Sequence, residues 1–171
     1  MAIVTTVGDA TANSYITVAE YEAFWTERNV NLAHSTAAKE AELVKAADYI
    51  NRSYTFVGEQ QYRYQAMAWP RLTGIYLVKD WPIDPDTVPQ DIKDAQAELA
   101  YIINQGTNVF ATVEGGAKVR EKNKAGPVET EVEFTNFRET PRFVVIEGLL
   151  SPYTIYGGAQ LKLVRARGPQ S

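Results

Sequence analysis

Tyr64-Gln65-Ala66-Met67-Ala68-Trp69-Pro70-Arg71-Leu72 is the stretch on which the fold reading turns. Gln65 to Trp69 has the composition for about one helical turn, and Pro70 stops it, because a residue before proline is pushed out of the α region. Trp69 is thereby held at a corner, with a large ring that must find cover. The expectation is a ring that plugs the space between the helices on either side. Nothing at this corner calls for catalysis; a core tryptophan beside a turn accounts for it.

Helical stripes flank the corner. Thr17 and Glu20 have the spacing of a capping box, with Ile16 and Tyr21 placed as a hydrophobic staple. Val18, Tyr21, Phe24 and Trp25 then mark one face of a helix that ends near Asn29. Ser35 or Thr36 caps a second helix, in which Leu43, Ala47, Ile50 and Tyr54 recur at helical spacing and which runs to about Ser53. Beyond the corner, 73–88 reads as a loop. Pro89 reads as the first residue of a third helix, where its missing N–H costs nothing. Ile92, Ala95, Leu99 and Ile102 form its stripe, and Gly106 stands where a C-terminal cap glycine belongs. The fold class expected is mainly α. A short N-terminal arm (1–14) precedes a small antiparallel helical bundle (15–106) with a structural core of Tyr21, Trp25, Leu43, Ile50, Trp69, Pro70 and Leu99.

The pattern changes after Gly106. Val128, Thr130, Val132 and Phe134 alternate with Glu129, Glu131 and Glu133, which is the period of a strand with one apolar and one acidic face. With Val119 and its neighbours across Gly126-Pro127, a β-hairpin is expected. A lone hairpin is marginal and needs a partner, so its apolar face is a candidate contact between subunits. Phe143 to Leu150 resembles a short helix ended by Pro152. Hairpin and short helix are grouped as 107–157, packed on or between subunits. Gly157-Gly158 is a hinge into an extended basic tail (158–171). There Leu161 and Leu163 share a face when extended, Val164 adds apolar surface, and Lys162, Arg165 and Arg167 supply charge. These six residues suit a strap laid on an acidic partner.

Composition narrows the function classes. The 171 residues contain no cysteine, which excludes disulfides, thiolate metal sites and a cysteine nucleophile. His34 is the only histidine, so no zinc site is expected. No P-loop, Gly-x-Ser-x-Gly or Gly-x-Gly-x-x-Gly occurs. Asp80, Asp84 and Asp86 read as solvated turn residues rather than a calcium loop. Asn51-Arg52-Ser53 matches a glycosylation acceptor but falls inside the second predicted helix. The first residues do not form a signal peptide, and no apolar run approaches the ~20 residues of a membrane span. Hence no catalytic residue, metal, cofactor or membrane partner is expected. Residues 1–105 hold 8 Lys+Arg against 14 Asp+Glu, and residues 106–171 hold 9 against 7. An acidic body is a poor non-specific nucleic-acid binder. The ten tyrosines and three tryptophans raise a stacking platform, but only Tyr62, Arg63, Tyr64, Trp69 and Arg71 interleave rings with cations.

Several pieces in order resemble a known family. They are Ala12-Asn13-Ser14-Tyr15 before the capped first helix, Ala46-Ala47-Asp48-Tyr49-Ile50 in the second, and Gln65 to Arg71 at the corner. Val88-Pro89, Ala97-Glu98-Leu99-Ala100, Lys118 to Lys122, Gly126-Pro127-Val128 and Leu149 to Tyr153 follow. The chain is similar to the head–tail connector (adaptor) proteins of tailed bacteriophages, many of which are labelled DnaT-like single-stranded-DNA-binding proteins. The resemblance implies a virion protein at the head–tail junction, made in the host bacterial cytoplasm. It implies a homo-oligomeric ring of about twelve copies beneath the portal protein. The ring would extend the channel for packaged double-stranded DNA and present a platform to the next tail component. On this reading the basic tail binds the portal or a neighbouring subunit. The alternatives are a DnaT-like single-strand-binding replication protein, with the aromatics from Tyr62 to Trp69 stacking bases and Arg63 and Arg71 on phosphates, and another tail-completion protein.

Overall fold

The computed structural model describes residues 2–73, 77–78, 81–111, 113–123, 130–139 and 143–155. Three helices, α1 (Val18–Glu27), α2 (Thr36–Ser53) and α3 (Gln90–Asn104), make the body, and a short α4 (Val144–Leu150) runs into a 3-10 turn at Ser151–Tyr153. Six strands complete the described elements: β1 (Glu59–Gln60), β2 (Arg71–Leu72), β3 (Leu77–Val78), β4 (Trp81–Pro82), β5 (Val113–Asn123) and β6 (Thr130–Glu139). They pair antiparallel as β1–β2, β3–β4 and β5–β6. The fold is mainly α with an appended hairpin, as the periodicities predict.

Helix ends follow local chemistry. The capping box of α1 is formed: the Glu20 N–H donates to Thr17 Oγ1 at 3.2 Å and the Thr17 N–H to Glu20 Oε2 at 2.6 Å. Ile16 and Tyr21 on either side are both buried. Asn29 at φ 57 carries the chain out of α1 through the left-handed region that asparagine tolerates. Ser35 caps α2 by accepting from the Ala38 N–H at 3.3 Å. Pro89 sits one position earlier than expected, as the N-cap of α3, and its carbonyl accepts from the Ile92 and Lys93 N–H groups. Gly106 follows the C-cap Gln105 with φ 89, a backbone that L side chains rarely adopt.

The centres of the stripes bury, while Val18, Phe24, Tyr54 and Ile102 at their margins are half-buried. Tyr21, Leu43, Ile50, Ile92 and Leu99 are fully buried, with Trp25 nearly so. Polar links tie the helices together. Trp25 Nε1 donates to the Ala97 carbonyl at 3.3 Å, and Lys39 Nζ lies 2.7 Å from Glu22 Oε1. Gln96 is a buried knot. Its Nε2 donates to Ser14 Oγ at 2.7 Å and the Leu43 carbonyl at 2.9 Å, while its Oε1 accepts from the Tyr15 N–H at 2.8 Å. The N-terminal arm is therefore fastened to α2 and α3 through one side chain.

Two expectations change. Residues 65–69 make bends rather than a helical turn, and the Trp69–Pro70 peptide is cis. The cause is Gln65, whose Oε1 accepts from the Tyr62 N–H while its Nε2 donates to the Met67 and Pro70 carbonyls. A side chain holding three backbone groups of its own loop replaces the helical ladder. The loop expected over 73–88 contains the short β3–β4 pair, Leu77 opposite Pro82 and Val78 opposite Trp81.

The chain divides into two compact units, Met1–Thr107 with Val144–Ser171, and Asn108–Phe143. The short helix grouped with the hairpin in the sequence thus belongs with the helical unit: α4 packs on α3, and its Ile146 and Leu150 are fully buried. The second unit is the hairpin. Its strands share ten register pairs, from Val113 opposite Glu139 to Asn123 opposite Thr130, with an irregularity between Lys118 and Arg120. Among the described residues this sheet has two strands only.

Candidate functional site

The corner is built where α2 ends. Asn51, in its last turn, accepts from the Ala68 N–H at 3.1 Å and from the Tyr15 hydroxyl, and its Nδ2 lies 3.4 Å from Met67 Sδ. The chain then passes Phe56 and Gly58 into β1. Gly58 has φ 75, and a Cβ there would stand 2.1 Å from the Leu72 carbonyl oxygen. Only glycine lets the two backbones of the β1–β2 pair come this close.

Trp69 is 1% exposed. Its ring meets Phe56 and Tyr153 edge to face, each at 5.7 Å between centroids. Among the described residues its aromatic neighbours thus come from the segment after α2 and the 3-10 turn after α4, not from the three long helices. Tyr153 is held in turn by its hydroxyl, which donates to Asp91 Oδ2 at 2.8 Å; burial, then that bond, pushes its phenol well above the usual range. A ring so enclosed offers no face to a base.

Arg71 is consumed by the fold. Its Nε donates to the Val57 carbonyl at 2.8 Å and its Nη1 to the Ala68 carbonyl at 3.2 Å. Its Nη2 donates to the Phe56 carbonyl at 3.3 Å and to the Gly58 carbonyl. The five N–H groups of a guanidinium are nearly exhausted by four carbonyls. Burial lowers its pKa, opposed by Tyr15 and Glu59. Arg71 therefore pins β2 to the segment after α2 and cannot take a phosphate without releasing that joint.

The other half of the corner faces solvent. Tyr64 is 73% exposed, and the Arg63 guanidinium lies 5.3 Å from its ring centre. Tyr62 lies against Gly8, where a Cβ would come within 2.4 Å of the ring. Its hydroxyl donates to Asp86 Oδ1 at 2.8 Å, and Gln61 Nε2 reaches the same oxygen at 3.3 Å. Of the five residues proposed from sequence for base stacking and phosphate contact, the structure leaves Tyr62, Arg63 and Tyr64 available and withdraws Trp69 and Arg71. Asp86 beside Tyr62 adds negative charge to that surface.

The assembly candidates divide differently. Thr130, Val132 and Phe134 lie in β6 at alternate positions. Val128 and the tail residues Leu161, Lys162, Leu163, Val164, Arg165 and Arg167 lie outside the described residues. His34, isolated in the sequence, has a partner in Glu42 Oε2 at 2.7 Å, while Asn104 Nδ2 holds the other Glu42 oxygen at 3.1 Å. The polar knots at Asn51, Gln65 and Gln96 were not anticipated. Gln96 had a signal: it stands four residues after Ile92 and three before Leu99, on the inward stripe, where a polar group needs partners.

Over residues 1–166 the chain matches the family described as "Putative DnaT-like ssDNA binding protein". The chain belongs to this family. No curated protein matches it, and no solved structure does. The family's description names single-stranded DNA and no connector. Within this DnaT-like family member, the exposed half of the corner, Tyr62 to Tyr64, is the part of the sequence-predicted platform still open to a ligand.

Proposed function

We propose that the chain is a non-enzymatic assembly protein, a head–tail adaptor of a tailed-phage virion. Its copies close into a ring beneath the portal protein, extend the channel for packaged double-stranded DNA and receive the next tail component. The hairpin carries this reading. Strands of eleven and ten residues form a two-stranded sheet among the described residues, so each presents an outer edge of backbone donors and acceptors. Long open edges are templates for pairing with another chain. Head-to-tail contacts of that kind close rings. The acidic residues 1–105 suit a channel through which DNA slides, since like charge opposes counterion-releasing contact. Sedimentation velocity and negative-stain images of the purified protein, alone and with portal protein, test it. Rings or portal-bound rings are expected; a monomer under both conditions refutes the reading.

The family description speaks more directly for a second reading, single-strand binding, and one observation favours it: the exposed Tyr64 ring with Arg63 beside it. On this reading Tyr62 and Tyr64 stack bases and Arg63 meets a phosphate, while Trp69 and Arg71 only hold the corner. Anisotropy with a labelled oligonucleotide at ~150 mM salt separates the two, because phosphate contacts weaken steeply with salt. The adaptor reading expects no sub-micromolar binding. Tight, salt-sensitive binding that Tyr64→Ala and Arg63→Ala remove would put single-strand binding in its place.

A further inference from the structure

Two side chains at the exposed half of the corner converge on one carboxylate oxygen. The Tyr62 hydroxyl donates to Asp86 Oδ1 at 2.8 Å, and Gln61 Nε2 donates to the same oxygen at 3.3 Å. Both donors stand on held backbone. The Gln61 N–H donates to the Pro70 carbonyl at 3.2 Å, the Tyr62 N–H donates to Gln65 Oε1 at 2.9 Å, and the Tyr62 ring lies against Gly8. Gln65 and Pro70 are both buried, so the donor pair is anchored to the core of the corner.

The acceptor stands on a different footing. Asp86 lies on a turn before α3, and both of its contacts with the donor pair are exposed. The turn is held by Asp84. Its Oδ1 accepts from the Asp86 N–H at 3.0 Å, and its carbonyl accepts from the Thr87 N–H at 3.3 Å and from Thr87 Oγ1 at 3.2 Å. These bonds do not involve Tyr62 or Gln61, so the turn keeps them when Asp86 lets go. Water then serves donors and acceptor alike, and the separation costs little. A carboxylate and a phosphodiester are both anionic acceptors, so the same O–H and N–H donors suit either. Arg63 and Tyr64 follow directly in the chain, with the guanidinium 5.3 Å from the ring centre.

We propose that Asp86 is a built-in competitor for phosphate: its carboxylate occupies the Tyr62–Gln61 donor pair, and a single strand seated on Arg63 and Tyr64 displaces it to place a phosphate there. The inference rests on the single-strand reading above and adds its regulation. The apparent affinity is reduced by the fraction of molecules in which the donor pair is open. The Asp84–Thr87 turn thus sets a threshold that a weakly held strand does not pass.

Anisotropy titrations of the full-length chain at low salt, with a labelled oligothymidylate of about 16 nucleotides, test it. Asp86→Ala is expected to bind about fivefold tighter than the unaltered chain, the gain from removing one like charge beside a phosphate in water. Glu27→Ala removes the same charge from an exposed position on α1 and is expected to change binding by less than about twofold. Tyr62→Phe keeps the ring and deletes the donor, so in that background the gain from Asp86→Ala should fall to about twofold or less. Circular dichroism checks that each variant is folded. If the unaltered chain binds and Asp86→Ala leaves binding equal or weaker, the competitor role is overturned and the single-strand reading stands. Equal gains from Asp86→Ala and Glu27→Ala, or a full gain in the Tyr62→Phe background, also overturn it, since net charge then accounts for the effect. Absence of binding by every variant overturns the single-strand reading and the proposal with it.

Discussion

Tyr62-Arg63-Tyr64 and Trp69-Pro70-Arg71 lie a few residues apart and have nearly the same chemistry, aromatic rings beside an arginine. One is surface and the other is structure. Arg71 spends its donors on the carbonyls of Phe56, Val57, Gly58 and Ala68, and Trp69 is closed in by Phe56 and Tyr153. Arg63 instead lies near the ring of a Tyr64 that stays in solvent. The difference teaches that interleaved rings and cations do not make a nucleic-acid platform by themselves. What decides is whether the donors already have partners within the chain.

The sharpest way to break this comparison is Trp69→Ala. Removal of a large core ring costs about 3–5 kcal/mol. A urea titration checks it, and a loss below about 1 kcal/mol would mean that the ring is not part of the core. Arg71→Ala comes next. It strips four carbonyls of their donor, and about 2–3 kcal/mol of stability should go with it, since bonds to charged groups are the stronger ones. An unchanged midpoint for Arg71→Ala would return this arginine to the list of ligand-binding candidates.

A cap far from the corner gives the yardstick. Thr17→Ala should cost about 1 kcal/mol at neutral pH. Burial pushes the Glu20 carboxyl up, but hydrogen bonds from Thr17 and the charge of Lys93 outweigh it and hold the group below its ordinary 4.5. Stability from a lowered carboxyl is present above the unfolded value and lost as pH falls through the folded one. The penalty of Thr17→Ala should therefore shrink below pH 4.5, and thermal melts at neutral and acid pH check the sign. The smallest effect belongs to the exposed half of the corner. Arg63→Ala and Tyr64→Ala should each move stability by less than about 0.5 kcal/mol. A larger loss in the same melts would show that Tyr64 has cover in solution, as subunit contact would provide.

The sequence alone determined what depends on near neighbours along the chain. Thr17 and Glu20 announce a capping box because both partners lie within one turn. Leu43 and Ile50, or Ile92 and Leu99, announce buried faces because helical periodicity needs no knowledge of what covers them. Thr130, Val132 and Phe134 announce a strand in the same way, and the paired β5–β6 hairpin follows. What only the tertiary structure decided depends on groups distant in sequence. Pro70 marked a stop, but the bends before it come from Gln65 bonding three backbone groups, a choice that helix propensity cannot register. The short helix α4 had a visible stripe, yet that it would pack on α3 required a partner about fifty residues away. Arg71 and Arg63 carry identical side chains. Only the carbonyls of Phe56, Val57, Gly58 and Ala68 gathered around one of them separate a structural pin from an exposed cation, because a hydrogen bond is set by where its acceptor ends up in space.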